Sequence, residues 1–215
     1  MEVPETFQWE EFWIEQARRI VSQEEEHWRL RLQVWRSGSG LYTPVTDAPH
    51  WLLEAMVADP PNLQEKGLRL GISAESVVAP GPFTAFKTLQ SLPYVMASRE
   101  AQKRMLDDVV LLNTHGRVAE SSNSNIWIYD GKAWYTPPLS EGCVAGVFRS
   151  WLQEKASPFP IMEAPVERVQ LDSAESILLG NSIRGLRWVK ELEGRLLTRP
   201  EAHISLQAAW LSSFI

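Results

Sequence analysis

The chain has 215 residues, with 21 Lys and Arg against 27 Asp and Glu, a formal charge of −6 and an isoelectric point near 5.3. Its length and 44% hydrophobic content suit one large or two small domains with a real core and exclude disorder as a description of the whole. The acidic balance excludes nucleic-acid binding by charge, and a single cysteine, Cys143, allows neither an internal disulfide nor a Cys-based metal site.

In chain order, MEVPETFQWEEFW carries acids where a secretion signal carries Lys or Arg. No apolar run approaches the roughly 20 residues that cross a bilayer, so a cytoplasmic protein with no membrane contact is expected. From Thr6 to about Gln23 the residues Phe7, Phe12, Trp13, Ala17, Ile20 and Val21 recur at helical spacing, which predicts an amphipathic helix. RLRLQVW from Arg29 alternates as a strand with one buried face and ends at SGSG. A second strand starts at Trp51 and runs into ADPPNLQ, whose two prolines mark a boundary. The domains expected are therefore 1–58, a linker at 59–66, and 67–215.

GLRLGIS predicts a strand, and the Pro- and Gly-rich VVAPGPFTAF leads to a helix from about Leu92 to Met105. DVVLLN and RVAE flank THG. NIWIY and KAWYT flank Asp130-Gly131, a pair suited to a tight hairpin because both positions tolerate positive φ. A helix from about Val147, strands near Ile161 and Ile177, a hairpin at Glu193-Gly194 and a helix after Pro200 complete an α+β pattern of antiparallel hairpins and helices. The ten tryptophans are spread through several elements, which assigns them to packing.

Four segments carry possible chemistry: Phe86-Lys87-Thr88, Glu120 to Asn125 (ESSNSN), Val144 to Arg149 (VAGVFR), and Gly180-Asn181-Ser182. Singly they are ordinary: a solvated lysine, a strand carboxylate, a glycine at a helix start. Their order and spacing resemble the signature of the class IV aminotransferases, running ESSNSNIW, a hairpin, then WYTPPLSEGCVAGVFR. The resemblance extends from about Gly67 to Val189, and less clearly back to Arg29. It departs at Trp127 and Trp134, where other large apolar residues are usual in the family.

What the resemblance implies is a fold type IV enzyme, similar to the D-amino-acid aminotransferases, that uses pyridoxal 5′-phosphate on an amino acid, a small-molecule substrate, and acts as a homodimer. Lys87 matches the lysine that joins the cofactor as an imine and moves a proton at the substrate Cα. Glu120 matches the carboxylate that keeps the pyridine nitrogen protonated, so that the ring can accept electrons. Gly146, Val147 and Phe148 match the helix start whose main-chain amides hold the cofactor phosphate, and Ser182 matches a hydroxyl reaching the same phosphate. Asn125 fixes the turn after Glu120 and is a weaker cofactor-site candidate. These assignments require the Lys87 amine and the Glu120 carboxylate to lie within reach of one bound molecule.

The reaction stays open between transamination and cleavage of aminodeoxychorismate. Gln90-Ser91 supplies no tyrosine where the branched-chain enzymes of the family have one, which counts against that subgroup. WRSGSGLY, from Trp35 to Tyr42, resembles the substrate-facing segment of the aminodeoxychorismate lyases and makes Arg36 a candidate for a substrate carboxylate, although a solvated arginine explains it as well. The family's early strands and their phosphate-clamping arginine have no counterpart here. An incomplete small domain is therefore expected, and with it a third reading, a folded remnant without catalysis.

Overall fold

The computed structural model describes residues 9–22, 24–25, 27–40, 42–43, 45–59, 66–155 and 160–212. The backbone forms two compact units, Met1–Pro60 and Pro61–Ile215. Most of the predicted linker, at 60–65, lies outside the described residues, as does the predicted helix start at 6–8.

The first unit holds helix α1 (Trp9–Ile20) and strands β1 (Trp28–Arg36) and β2 (Pro49–Val57). The strands pair antiparallel without interruption from Trp28 opposite Val57 to Arg36 opposite Pro49. Helix α1 is amphipathic, with Glu10 and Glu11 in its first turn and Arg18 and Arg19 in its last, each sign complementing the helix dipole. Its Phe12 and Trp13 rings meet Trp51 of β2 edge to face, with centroids 5.9 and 5.1 Å away. Leu30, Leu32 and Val34 of β1 remain exposed.

The second unit is built on a nine-stranded mixed sheet. Its strands are β3 (Leu68–Val78), β4 (Asp108–Asn113), β5 (Val118–Ser121), β6 (Asn125–Tyr129), β7 (Trp134–Thr136), β8 (Ile161–Glu163), β9 (Ser176–Asn181), β10 (Gly185–Leu192) and β11 (Arg195–Leu196). The spatial order is β5-β4-β3-β10-β9-β6-β7-β8, with β11 beside β10. The helices are α2 (Leu92–Lys103), α3 (Val147–Lys155), α4 (Arg168–Ser173) and α5 (Ala202–Ser212). One core gathers Leu70, Ile72, Val110, Ile126 and Leu179. A second joins Trp127, Phe148, Leu152, Leu186 and Trp210. Because side chains alternate along a strand, neighbours such as Ile126 and Trp127 serve different cores.

Three features correct the sequence reading. The sheet is not purely antiparallel: β3 runs parallel to β4 and to β10, and β7 parallel to β8. Alternation reports a buried face and is silent on the direction of the partner, while α2 between β3 and β4 is long enough for a parallel return. The Asp130-Gly131 turn is wider than expected. Only Gly131 takes positive φ, and the Asp130 carboxylate accepts from the Lys132 and Ala133 amides at 2.9 Å, giving a four-residue loop. Glu193 and Gly194, by contrast, both adopt positive φ (47° and 82°) and form the two-residue turn between β10 and β11. Helix α4 escaped the sequence reading, although Glu167 and Gln170 form a capping box at its start.

Candidate active site

Three segments converge on a buried carboxylate. Glu120, on β5, is 3% exposed. Its Oε1 accepts from the Tyr94 hydroxyl at 2.7 Å and from the Val144 amide at 3.2 Å, and its Oε2 accepts from Asn125 Nδ2 at 3.2 Å. An ionised carboxylate offers about four acceptor positions, so these donors leave room for one more. Burial pushes Glu120 up to about 7, against the pull of the Tyr94 and Val144 hydrogen bonds and of the Lys87 and Arg149 charges.

Lys87 lies five residues before α2 in a turn-rich segment, and its side chain is exposed. It does not open the helix: α2 begins at Leu92, with Pro93 in its first turn. The segment is pinned to the loop before α3 by the Ala145 amide donating to the Ala85 carbonyl at 2.9 Å. The same loop supplies the Val144 donor to Glu120, and the Lys87 charge is felt at that carboxylate. The segment that carries Lys87 and the Glu120 carboxylate are thus both tied to the loop before α3.

Asn125 spends its side chain within the protein. Besides Glu120, its Nδ2 donates to the Val144 carbonyl at 2.9 Å, and its Oδ1 fills the space where a β-carbon of Gly146 would stand. It fixes both the carboxylate and the approach to α3. The Gly146 amide is committed to the Val144 carbonyl at 2.9 Å, and the first helical bond runs from the Ser150 amide to the Gly146 carbonyl at 3.1 Å. This leaves the Val147 and Phe148 amides as open donors of the first turn. The Val147 side chain is 74% exposed, whereas Phe148 is 1% exposed and packs on Gly180 of β9. That contact sets the start of α3 beside the β9–β10 turn, which carries Ser182, exposed and with no hydrogen bond to its hydroxyl among the described residues.

Asn181 organises the turn. Its Oδ1 accepts from the Ile183 and Arg184 amides at 3.0 and 2.9 Å, and its Nδ2 reaches Ser124 Oγ at 3.0 Å, tying the turn to the loop after Glu120. Arg187, buried on β10, donates to the same loop at Asn123 Oδ1 (3.2 Å) and Ser124 Oγ (3.1 Å). Arg36, the substrate-facing candidate, belongs to the first unit, where it ends β1 and is exposed. Tyr94 and Arg187 do not stand out in the sequence, and Asn181 stands there only as a member of the Gly180-Asn181-Ser182 segment, without a role. Tyr94 stands seven residues after Lys87, beyond the stretch in which a tyrosine was sought.

A carboxylate with one vacant acceptor position, a nearby primary amine, and a helix start with open amides beside a hydroxyl turn form a complementary donor set. It fits a ligand bearing a protonated ring nitrogen, an electrophilic carbon and a phosphate. Pyridoxal 5′-phosphate has those three features. Among the described residues, no group of three or more His, Cys, Asp or Glu is placed to hold a metal, and no helix is long and apolar enough to cross a membrane.

Comparison with known proteins agrees with this chemistry. The family model for amino-transferase class IV matches residues 2–192. A putative aminodeoxychorismate lyase of Schizosaccharomyces pombe is 31% identical over 106 residues, covering 49% of this chain and 44% of its own length. A putative branched-chain-amino-acid aminotransferase of Methanocaldococcus jannaschii is 26% identical over 145 residues, covering 66% of this chain and 50% of its own. The chain thus spans half or less of the length of these relatives. The crystal structure of a putative 4-amino-4-deoxychorismate lyase from Legionella pneumophila superposes with a TM-score of 0.80 at 19% identity, over 94% of this chain and 75% of that one, and so shares the fold. With 191 consecutive residues matched by the family model, counted from residue 2 through 192, the chain belongs to the class IV amino-transferases, a pyridoxal-phosphate-dependent family of fold type IV.

Proposed function

We propose that the chain is a pyridoxal-phosphate-dependent aminotransferase acting on an amino acid. The observation that carries this reading is that two segments 33 residues apart in sequence reach the loop before α3, the Lys87 segment through the Ala85 carbonyl and Glu120 through its own carboxylate. When bound, the cofactor supplies an electron sink conjugated to the substrate Cα. Lys87 Nζ would hold the cofactor and would serve as the general base that takes the substrate Cα proton and, as the conjugate acid, delivers it to the cofactor's reactive carbon. Glu120 Oε2, whose protein donor is Asn125 Nδ2, would accept from the ring N–H. The Val147 and Phe148 amides and the Ser182 hydroxyl bind the phosphate, and Gly146 gives the close backbone approach that Asn125 demands. The enzyme is a homodimer, and its compartment is the cytoplasm.

A second reading, cleavage of aminodeoxychorismate, is supported by the lyase names carried by a sequence relative and by two structural neighbours. The two reactions share proton removal at Cα by Lys87 and part only afterwards, so product analysis separates them. Protein supplied with pyridoxal phosphate, an amino donor and a keto acid is expected to exchange the amino group. Release of pyruvate and 4-aminobenzoate from aminodeoxychorismate instead would establish the lyase. Neither product above the level of the Lys87→Ala protein would overturn both and leave the non-catalytic remnant.

A further inference from the structure

We propose that Tyr94 is a positioning residue of this site: its phenol, donating to Oε1, holds the Glu120 carboxylate ionised and leaves Oε2 to accept from a ring nitrogen. The proposal rests on the reading of Glu120 given above and assigns Tyr94 a role within it.

The placement follows from α2. Pro93 in its first turn fixes where the helix begins, and Ala97 and Ala101 are small enough to let it lie close on Val109, Leu111 and Ala119. Tyr94, one turn before Ala97, is thereby carried onto β5 with its hydroxyl 2.7 Å from Glu120 Oε1. That is the shortest of the three donor distances to the carboxylate, the others being 3.2 Å. An O–H donor to a charged oxygen is among the stronger neutral-donor contacts a protein makes.

A carboxylate this buried holds its charge only through its partners. The groups facing it are few: Lys87 from the segment before α2, Tyr94 from α2, Cys143 from the loop before α3, and Arg149 from α3. Arg149 is also paired with Glu163 at 3.0 Å. The Cys143 thiol is pushed up to about 12, by burial first and the Glu120 charge second, and stays neutral. Tyr94 is driven far above the ordinary phenol range by burial and then by the Glu120 charge, so it keeps its proton and remains a donor. With Glu120 raised to about 7, its charge near neutral pH depends on that donor. A protonated Glu120 would present an O–H and oppose the ring N–H it has to accept.

The test reads Glu120 directly, in the chain without added cofactor. The protonated-carboxyl infrared band that disappears in Glu120→Gln is followed against pH, and pyridoxal phosphate affinity is measured over the same range by fluorescence. Tyr94→Phe is expected to move the infrared midpoint up by about 1 to 2 pH units and to weaken cofactor binding about tenfold at neutral pH, with wild-type affinity restored in alkali. Incorporating 3-fluorotyrosine at position 94 keeps the shape, strengthens the donor and moves the midpoint down; it carries the test if Tyr94→Phe fails to fold. Unmoved midpoints in the folded variants would overturn the proposal. A shifted midpoint with no cofactor bound at any pH would uphold the Tyr94–Glu120 coupling and overturn the cofactor reading.

Discussion

The side-chain oxygen of Asn125 occupies the position that a β-carbon on Gly146 would need, while the nitrogen of the same amide donates to Glu120 Oε2 and to the Val144 carbonyl. Asn125 cannot retreat without giving up both bonds. Gly146→Ala is therefore expected to lower stability by about 1–3 kcal/mol, as overpacking does, and to weaken cofactor binding at least tenfold by moving the start of α3. Thermal melts and a cofactor titration check this. Unchanged values would mean that the Asn125 contact yields freely.

Phe148 separates a side-chain role from a main-chain one. Its ring meets Trp210, Trp151 and Trp127 at centroid distances of 4.7, 5.6 and 6.1 Å. Phe148→Ala is expected to cost about 3–5 kcal/mol of stability. Phe148→Leu, which keeps most of the packing and the same amide, should cost less and leave cofactor affinity within about twofold. Affinity that falls sharply in a stable Phe148→Leu protein would contradict a phosphate contact made by the backbone.

His203 on α5 is fully buried; its Nε2 lies 3.1 Å from the Leu186 carbonyl and its Nδ1 has no hydrogen-bond partner among the described residues. Burial, with the Arg199 charge, lowers its pKa below the usual histidine range of about 6.5. The unfolded chain then binds the proton more readily than the folded one. Stability is fully present above about pH 6.5 and is lost as pH falls toward the folded value, by up to ~1.4 kcal/mol per pH unit. Glu120, raised to about 7, acts in the opposite sense over the same range. The difference between wild-type and His203→Gln stabilities in denaturant melts between pH 5 and pH 7 should therefore show this slope, the Gln keeping a donor for Leu186. The same slope in His203→Gln would assign the loss to other groups.

Much of this architecture is legible in the sequence, for reasons that also mark where legibility stops. Alternation in β1 and β3 and the 3.6-residue period in α1 report burial, which is local and periodic. The parallel pairing of β3 with β10 joins Leu68 to Val189, and no local pattern records so distant a partner. At the site, Glu120, Gly146 and Ser182 stand out through motif spacing. Tyr94 does not, because its function depends on how closely the alanine face of α2 packs on β4 and β5. Asn125 reads in the sequence as a turn residue, and only the structure adds its contact with Gly146. The Asp130-Gly131 turn shows the reverse error: a favourable dipeptide was read as a two-residue turn, while the Asp130 carboxylate, by accepting from two following amides, selects a longer loop.

The central claim is a covalent one and admits a direct measurement. Protein incubated with pyridoxal phosphate, reduced with borohydride and digested is examined by peptide mass spectrometry. The account predicts one dominant cofactor-bearing peptide, modified at Lys87 and absent from the Lys87→Ala protein. Modification spread over other lysines such as Lys103 and Lys132, or persisting undiminished in Lys87→Ala, would contradict it.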